Sequence, residues 1–401
     1  MKKETYSHKD KNIVLIYYNS TDIDFFGCIV KEIEKYLANA NYVSIKIDFG
    51  MTDWQKDLQN AISERVYFSI GFNSAGIGLC GNGTLLCQLF NYPHISLMTE
   101  VPYHFLSKYL TEPGIDNRNN IILHLERIDN LYIKQLQSEK EQFKTHPFFF
   151  GGVKSEKSSQ DKDIDIIFSG SFAGSPVREW NRQMIPVFVK SILNDTADYM
   201  ETYASAVPEA VYVIIKSRHL LGTFSMDQLY PYFADLFSYI KAYRRLKCMK
   251  YVIDKGLFAH ICGNWPDIYH TSGTVHHEVL PYSEIINLYG RSKLIIQDNA
   301  GINGGIHERI FSAMLNGAVV ISENGSYLNK VFVNGQDIIL FDWENMDRIE
   351  SAVHLLLQKQ DLRDKIAMRA YKKADEAHTW AARMDNITEI VENWYEKSII
   401  K

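Results

Sequence analysis

The sequence of 401 residues lacks several features that mark secreted, membrane and nucleic-acid-binding proteins. Its five cysteines include no C-x-x-C pair, so neither a disulfide framework nor a zinc knuckle is predicted. It has no run of eighteen apolar residues, and its polar start, MKKETYSHKDKN, resembles neither a signal peptide nor a membrane span. The net charge of −5 predicts no general attraction to nucleic acid. We therefore expect a cytoplasmic protein with no transmembrane segment.

The composition that remains is that of a globular enzyme, with 46% apolar and 23% charged residues. This length suggests two large domains. In the first half, short apolar runs at Asn12, Tyr42, Val66 and Pro93 alternate with helix patterns, such as the one over residues 25–38. Strands that alternate with helices predict a parallel sheet covered on both faces.

The second half repeats this organisation after the polar segment KSEKSSQDKD, which we interpret as a linker. A strand at Asp163 precedes a long helical stretch, and four further apolar runs begin at Phe258, Lys293, Ala318 and Asp337. The tail, residues 361–399, is predicted to be helical throughout because no glycine or proline interrupts it. We predict an α/β fold of two Rossmann-like domains facing across a cleft, with a helical insertion in the second domain. The predicted boundaries are residues 1–155, residues 156–380, and a C-terminal helix over 381–401 that need not stay within one domain.

The most informative segment is QDNAGINGGIHERIFSAMLNGAVVISEN, residues 297–324. It predicts a strand end, a G-x-x-G-G loop that starts at Gly301, a helix from about His307 to Leu315, and a buried strand. Ligands of open α/β sheets bind at the carboxyl ends of strands, and the free N–H groups of a helix N-terminus suit a pyrophosphate. The alternative is a glycine loop kept only for a tight turn.

Two charged residues of this helix have the chemistry to bind a nucleotide. Glu308 could accept hydrogen bonds from two ribose hydroxyls, and Arg309 could balance phosphate charge. Glu308 and Ser312 lie one helical turn apart on the same face. The alternative for Glu308 is that an acidic residue in a first turn only complements the helix dipole.

The string HERIFSAMLNGAVVISE resembles the donor-binding signature of the spore-protein (CgeB-type) glycosyltransferases, which are related to the group-1 family and have the GT-B fold. VLPYSEIINLYGRSKLIIQ, from Val279, and FSGSFAGSPVR, from Phe168, are similar to the segments that precede this signature in that family. In the N-terminal half, the Glu100-Val101-Pro102 turn is similar to the family only in outline. The resemblance implies a metal-independent enzyme that needs no cofactor and moves a sugar from a UDP-, GDP- or dTDP-sugar to a glycan, protein or small-molecule acceptor.

The candidate donor-binding residues combine this resemblance with the loop chemistry. They are Ser171, Arg178, Lys293, Asn303, Gly304, Gly305, Ile306, His307, Glu308, Arg309 and Ser312. Arg178 could instead be an ordinary surface group, and Lys293 a strand-edge residue. Ser312 stands where the wider group-1 family has a second glutamate, so the choice between a retaining and an inverting mechanism stays open.

An inverting enzyme needs a base, and the candidate catalytic residues in the first domain are Asp24, Glu100 and His104, together with Asp22. The two aspartates could equally form an ordinary helix cap. His276 and His277 are adjacent, so a strand would point them to opposite faces, and no metal site is predicted. Two other functions stay open: a non-catalytic homologue that binds a partner or a glycan, and a sugar-nucleotide epimerase of the same fold.

Overall fold

The computed structural model describes residues 12–20, 24–105, 117–126, 133, 144–157, 161–299 and 302–399. The chain forms two compact units. The N-terminal unit comprises Met1–His124, Asn130–Phe148 and Trp380–Lys401, and the C-terminal unit comprises Leu125–Asp129 and Phe149–Thr379. No described helix has the length and the apolar character needed to cross a membrane.

The N-terminal unit is built on a parallel sheet with the strand order β2-β1-β3-β6-β7-β8. β1 and β3 are buried along nearly their whole length, as expected for strands covered on both faces. The described strands are Ile13–Tyr18 (β1), Val43–Asp48 (β2), Val66–Phe72 (β3), Cys80–Gly81 (β4), Thr84–Leu85 (β5), His94–Leu97 (β6), Asn120–His124 (β7) and Lys144–Pro147 (β8). The helices between them are Phe25–Asn39 (α1), Trp54–Ile62 (α2), Leu86–Leu89 (α3) and Pro102–Phe105 (α4).

The C-terminal unit has a second parallel sheet, with the strand order β11-β10-β9-β12-β13-β14. Counted within this unit the order is 3-2-1-4-5-6, the order of a Rossmann fold, so the prediction of two Rossmann-like α/β units is confirmed. The strands are Ile164–Ser169 (β9), Ala259–Cys262 (β10), Thr274–His277 (β11), Ser292–Gln297 (β12), Val319–Glu323 (β13) and Ile339–Phe341 (β14).

The helical insertion lies between β9 and β10 and consists of separate helices rather than one continuous stretch. Pro208, in the first turn of the second helix, and Pro231, inside a short 3₁₀ segment, lack the N–H that a continuing helix needs. The helices of this unit are Val187–Thr202 (α5), Val207–Ser217 (α6), Phe233–Asp254 (α7), Tyr282–Arg291 (α8), Glu308–Leu315 (α9), Leu328–Val331 (α10), Asp347–Gln358 (α11) and Gln360–Ala377 (α12), and the 3₁₀ segments are Glu179–Asn181, Met226–Tyr232 and Asp267–Tyr269.

The tail corrects one prediction, because it is not helical throughout. α12 ends at Ala377, and a final helix, Trp380–Ile399 (α13), begins after a break at His378 and Thr379. The break itself contains no glycine or proline, and a distant segment stabilises it: the Gly152 amide donates to the His378 carbonyl over 2.8 Å, and Gly152 forms a β-bridge with Thr379. α13 is part of the N-terminal unit, where the Tyr395 hydroxyl donates to the Tyr67 carbonyl over 2.6 Å.

Candidate donor-binding site

The glycine-rich loop follows β12, at the point where the strand order of the C-terminal sheet reverses. β9 and β12 are neighbours there, and the chain leaves them in opposite directions. The carboxyl ends of these two strands, at Ser169 and Gln297, therefore form the crevice in which ligands of doubly wound sheets bind.

Asn299 contacts the described part of this loop, residues 302–307, at three points. Its side-chain Nδ2 donates to the carbonyls of Ile302 and Gly305, and its Oδ1 accepts from the His307 amide over 3.0 Å. One buried amide side chain thus replaces the regular hydrogen bonds that a loop lacks. These hydrogen bonds hold the segment from Ile302 to the start of α9 against the end of β12.

Gly305 is required at its position by close packing. A Cβ atom there would lie 2.2 Å from the Leu125 carbonyl oxygen and 2.8 Å from Ile302 Cγ2. Both distances are far shorter than a van der Waals contact. The φ of Gly305 is one that other residues also adopt, so close packing and not backbone conformation requires the glycine. Gly305 therefore lets two backbone segments approach each other, which is one of the roles that only glycine fills.

The start of α9 is capped by a side chain. His307 has extended backbone angles, φ −72° and ψ 141°, and its Nδ1 accepts from the Arg309 amide over 3.4 Å. The Glu308 carboxylate lies against the same ring nitrogen. Burial opposes ionisation of Glu308, but His307 and Arg309 outweigh it and hold the pKa of Glu308 below its usual value. Burial, followed by the charge of Arg309, lowers the pKa of His307.

Two backbone amides of the loop already donate to a single side-chain oxygen. Glu126 Oε1 accepts from the amides of Asn303, at 2.5 Å, and Gly304, at 3.3 Å. Consecutive N–H groups that converge on one oxygen form an anion-binding concavity, or nest. The next amides, those of Gly305, Ile306 and Glu308, have no acceptor among the residues that the structure describes.

Arg309 points into the protein interior. Its guanidinium donates to the carbonyls of Ser169 and Asp298 and forms an ion pair of 3.7 Å with the Asp298 carboxylate. Arg245 lies 3.3 Å from the same carboxylate and donates to the Ser171 carbonyl. Burial alone would raise the pKa of Asp298, but Arg245 and Arg309 lower it, so this carboxylate is charged at neutral pH.

A second buried ion pair lies in the same unit. Arg244, only 1% exposed, lies 3.2 Å from Glu323 Oε2 and donates to the carbonyls of Met200 and Tyr203 over 2.8 Å. Burial lowers the pKa of Arg244 and raises that of Glu323, and the attraction between the two opposes both effects. Glu126, also buried, has its pKa raised to about 8 by burial, against the two amides that it accepts from.

Five buried charged residues were not predicted from the sequence: Glu126, Arg244, Arg245, Asp298 and Glu323. Only Asp298 and Glu323 carry a local signal, because each ends or follows a strand beside the loop. Arg244 and Arg245 lie within the helix α7, where two adjacent basic residues resemble an ordinary solvated face. Glu126 lies 177 positions from Asn303, and no spacing rule connects them.

The other predicted donor-binding residues have protein partners in this structure. Ser312 is fully buried, where its Oγ accepts from the Val153 amide over 3.1 Å and lies 3.0 Å from the Tyr282 hydroxyl. The side chain of Asn303 bonds to Glu209 and to the Ser326 amide. The remaining three residues make four contacts: Ser171 Oγ with the Asn264 amide at 3.3 Å, Lys293 with Asp165 at 2.5 Å, and Arg178 with Asp198 and Glu201 at 2.5 Å each. Their roles in donor binding stay predictions.

The candidate catalytic residues belong to the N-terminal unit. Asp24 immediately precedes α1, and its side chain makes no capping hydrogen bond to that helix. Glu100 is half-buried after β6, and His104 is exposed in α4. Asp22 and Gly301 lie outside the described residues. Among the described side chains, no group of three or more His, Cys, Asp or Glu residues could hold a metal ion.

Comparison with known proteins identifies a domain that includes this loop. Residues 244–389 match the profile of the glycosyl transferase-like family. The match extends from α7 into α13 and contains β12, the glycine-rich loop and α9. Over these residues the chain is therefore similar to the glycosyl transferase-like family. A search of curated protein sequences gave no significant match.

Solved structures share the fold over nearly the whole chain. HepE from Anabaena in complex with UDP is 10% identical, with 96% of this chain and 100% of that chain covered and a TM-score of 0.52. HepE in complex with UDP-glucose is also 10% identical, with 95% of this chain and 99% of that chain covered and a TM-score of 0.51. Sucrose-phosphate synthase from Thermosynechococcus elongatus is 9% identical, with 97% of this chain and 100% of that chain covered and a TM-score of 0.51. The chain thus has the GT-B fold of glycosyltransferases.

Proposed function

We propose that this protein is a glycosyltransferase of the group-1 type, related to the CgeB-type enzymes, that takes its sugar from a nucleoside-diphosphate sugar. The observation that carries the proposal is the loop from Ile302 to His307. It lies at the reversal of the Rossmann-like sheet and within the residues that match the glycosyl transferase-like family, and two of its backbone amides already converge on one oxygen, Oε1 of Glu126.

In the proposed complex, the diphosphate binds the amides that follow those bound by Glu126. The N–H groups of Gly305, Ile306 and Glu308 have no acceptor among the described residues, and the positive end of the α9 dipole lies beside them. Negative charge grows on the leaving diphosphate as the glycosidic bond to it breaks. N–H groups fixed in place before the reaction stabilise that charge selectively and lower the barrier.

Glu308 is proposed to bind the ribose hydroxyls. Its pKa is lowered, so it is an anion at neutral pH and can accept two hydroxyl hydrogen bonds. His307, beside it, is proposed to contact the donor sugar or a phosphate. The base candidates Asp24, Glu100 and His104 would act on the acceptor, which we propose to bind the N-terminal unit. UDP is the first nucleotide to test, because HepE was solved in complex with UDP and UDP-glucose.

The experiment is a thermal-shift and calorimetric screen of UDP, GDP, dTDP and their sugar conjugates, followed by an assay of donor hydrolysis without an acceptor. A ligand that binds only the folded state raises the free energy of unfolding by mass action, and the melting temperature rises with it. The gain is about 2.7 kcal/mol when the ligand concentration is a hundred times the dissociation constant. We expect one nucleotide to stabilise the wild type and to be hydrolysed slowly from its sugar.

Glu308→Ala tests the assignment of the site. We expect it to lose donor binding while the circular-dichroism spectrum and the cooperative unfolding transition are retained. Unchanged affinity for the nucleotide would remove Glu308 from the site. If no nucleoside diphosphate binds the wild type, the proposal is wrong and a non-catalytic role is favoured, whereas interconversion of UDP-sugars without an acceptor identifies an epimerase.

A further inference from the structure

The N-terminal unit contains a cavity of about 480 Å³ at the carboxyl ends of its first three strands. Tyr18 ends β1, Phe49 follows β2, and Phe72 ends β3. β1 and β3 are the neighbours between which this sheet reverses its order. The cavity therefore occupies the position at which doubly wound sheets bind ligands, and its volume is within the range of about 300–1,000 Å³ typical of small-molecule sites.

One wall of the cavity, the loop that starts at Asn73, is packed closely against the sheet. Asn73 has a φ of 54°, and its side-chain Oδ1 accepts from both the amide and the hydroxyl of Thr99, at 2.8 and 2.9 Å. Gly76 has a φ of +90°, and a Cβ atom there would lie 2.6 Å from the Tyr17 ring and 2.7 Å from the His94 ring. The loop is thus folded tightly onto the sheet, and the cavity exists before a ligand binds.

The described lining of the cavity is rich in aromatic rings and holds no charged side chain. Tyr18, Phe26, Phe49 and Phe72 provide rings, and Asn19 and Asn73 provide amide groups. Phe26 and Phe72 lie 4.8 Å apart between ring centroids. Among the residues that the structure describes, the eleven that line the cavity carry no formal charge, so they offer no counter-ion to a phosphate or carboxylate that would be desolvated there.

We propose that this cavity is the acceptor subsite and that it takes a neutral glycoside, an uncharged sugar ring with an aromatic or apolar aglycone. The apolar face of such a ring packs on Phe26 and Phe49, and its hydroxyls reach the amide side chains. The role as acceptor rests on the proposed glycosyltransferase function, whereas binding of the neutral ring does not depend on it.

The test measures acceptor binding and donor binding separately. Saturation-transfer NMR with phenyl β-glucoside detects occupancy without catalysis, and glucose 6-phosphate serves as the charged competitor. We expect phenyl β-glucoside to bind the wild type and glucose 6-phosphate to bind at least tenfold more weakly. Calorimetry with UDP on the same preparations reports the C-terminal site.

The variants Phe26→Leu and Phe49→Leu remove one ring each from half-buried positions. The loss of an aromatic contact weakens binding by about tenfold at most, so we expect a three- to tenfold weaker affinity for phenyl β-glucoside and the same UDP affinity. Ser74→Phe places a ring inside the cavity and should abolish glucoside binding. The control is Phe90→Leu, because Phe90 is 41% exposed in the same unit and does not line the cavity.

The outcomes separate this inference from the proposed function. It is overturned if the wild type does not bind phenyl β-glucoside, if it prefers glucose 6-phosphate, or if the cavity variants bind like Phe90→Leu. In each of these cases UDP binding and donor hydrolysis can persist, and the glycosyltransferase proposal then stands. If the glucoside binds through the cavity but no nucleotide binds anywhere, the donor site is wrong and the cavity is a glycan-binding site.

Discussion

Gly305→Ala is the substitution that best tests whether the geometry of the glycine-rich loop determines donor binding. The added Cβ would lie 2.2 Å from the Leu125 carbonyl oxygen, and ordinary contact begins at 3.4 Å, so one of the two segments must move by about 1.2 Å. Overpacking of this kind typically costs about 1–3 kcal/mol. In a unit of this size, that corresponds to a fall in melting temperature of about 2–12 °C.

The effect on activity should exceed the effect on stability. A displacement of about 1 Å in the groups that position a substrate can lower the rate about a hundredfold, and the amides proposed to bind the diphosphate include that of Gly305 itself. We therefore expect Gly305→Ala to stay folded but to weaken UDP affinity and to lower kcat/KM for the donor by one to two orders of magnitude.

The assay pairs thermal unfolding with calorimetric titration of UDP. The matched control is Gly290→Ala in α8, since a Cβ there meets no atom within 4 Å and alanine favours the helical conformation. We expect this control to keep the UDP affinity and to gain slightly in stability. If Gly305→Ala behaves like Gly290→Ala in both measurements, the loop is not held by close packing and the reasoning fails.

Three further predictions concern Arg309, the pKa of Glu126 and the removal of metal ions. Arg309→Ala should lower the melting temperature, because its contacts with Ser169 and Asp298 are lost. It also removes one of the two arginines that balance the Asp298 carboxylate, so the negative charge left behind should weaken UDP affinity more than uridine affinity; equal losses in calorimetry would argue against any effect of Arg309 on phosphate binding. The pKa of Glu126 is raised from about 4.5 to about 8, so the stability that this carboxyl contributes is present below pH 4.5 and is lost as the pH rises to 8. Urea unfolding across this range should therefore show the wild type losing stability relative to Glu126→Gln, and parallel curves would refute the raised pKa. Activity should survive treatment with EDTA followed by desalting. A loss of activity that is reversed only by added Mg²⁺ or Mn²⁺ would contradict the predicted metal independence.

Much of the fold was predictable because buried parallel strands form short apolar runs. VYFSIGF corresponds residue for residue to β3, and the predicted start of α9 at about His307 matches the observed cap at that residue. By contrast, β8, KTHP, is largely exposed and has no apolar alternation. It is a strand because it pairs with β7, and pairing is a property of the folded sheet rather than of the local sequence.

The site was predictable only where its determinants are local. Glycines before an amphipathic helix are visible in the sequence, so the loop and α9 could be found. The direction of the Arg309 side chain could not, because it depends on the carboxylate of Asp298 and on the end of β9, which lies 140 positions away. Glu126 reaches the loop through the tertiary fold alone.

The buried arginines of this unit are paired with carboxylates, so they are not the main source of positive potential at the proposed diphosphate site. Arg244, Arg245 and Arg309 each lie within 4 Å of a carboxylate, and all three are almost completely buried. A buried guanidinium needs such a partner, and the pairing largely cancels its field. A diphosphate at the start of α9 would therefore be attracted mainly by main-chain N–H groups and the helix dipole. Replacement of these arginines disturbs the fold as well as the field, whereas the main-chain donors change only when the loop moves, which Gly305→Ala brings about.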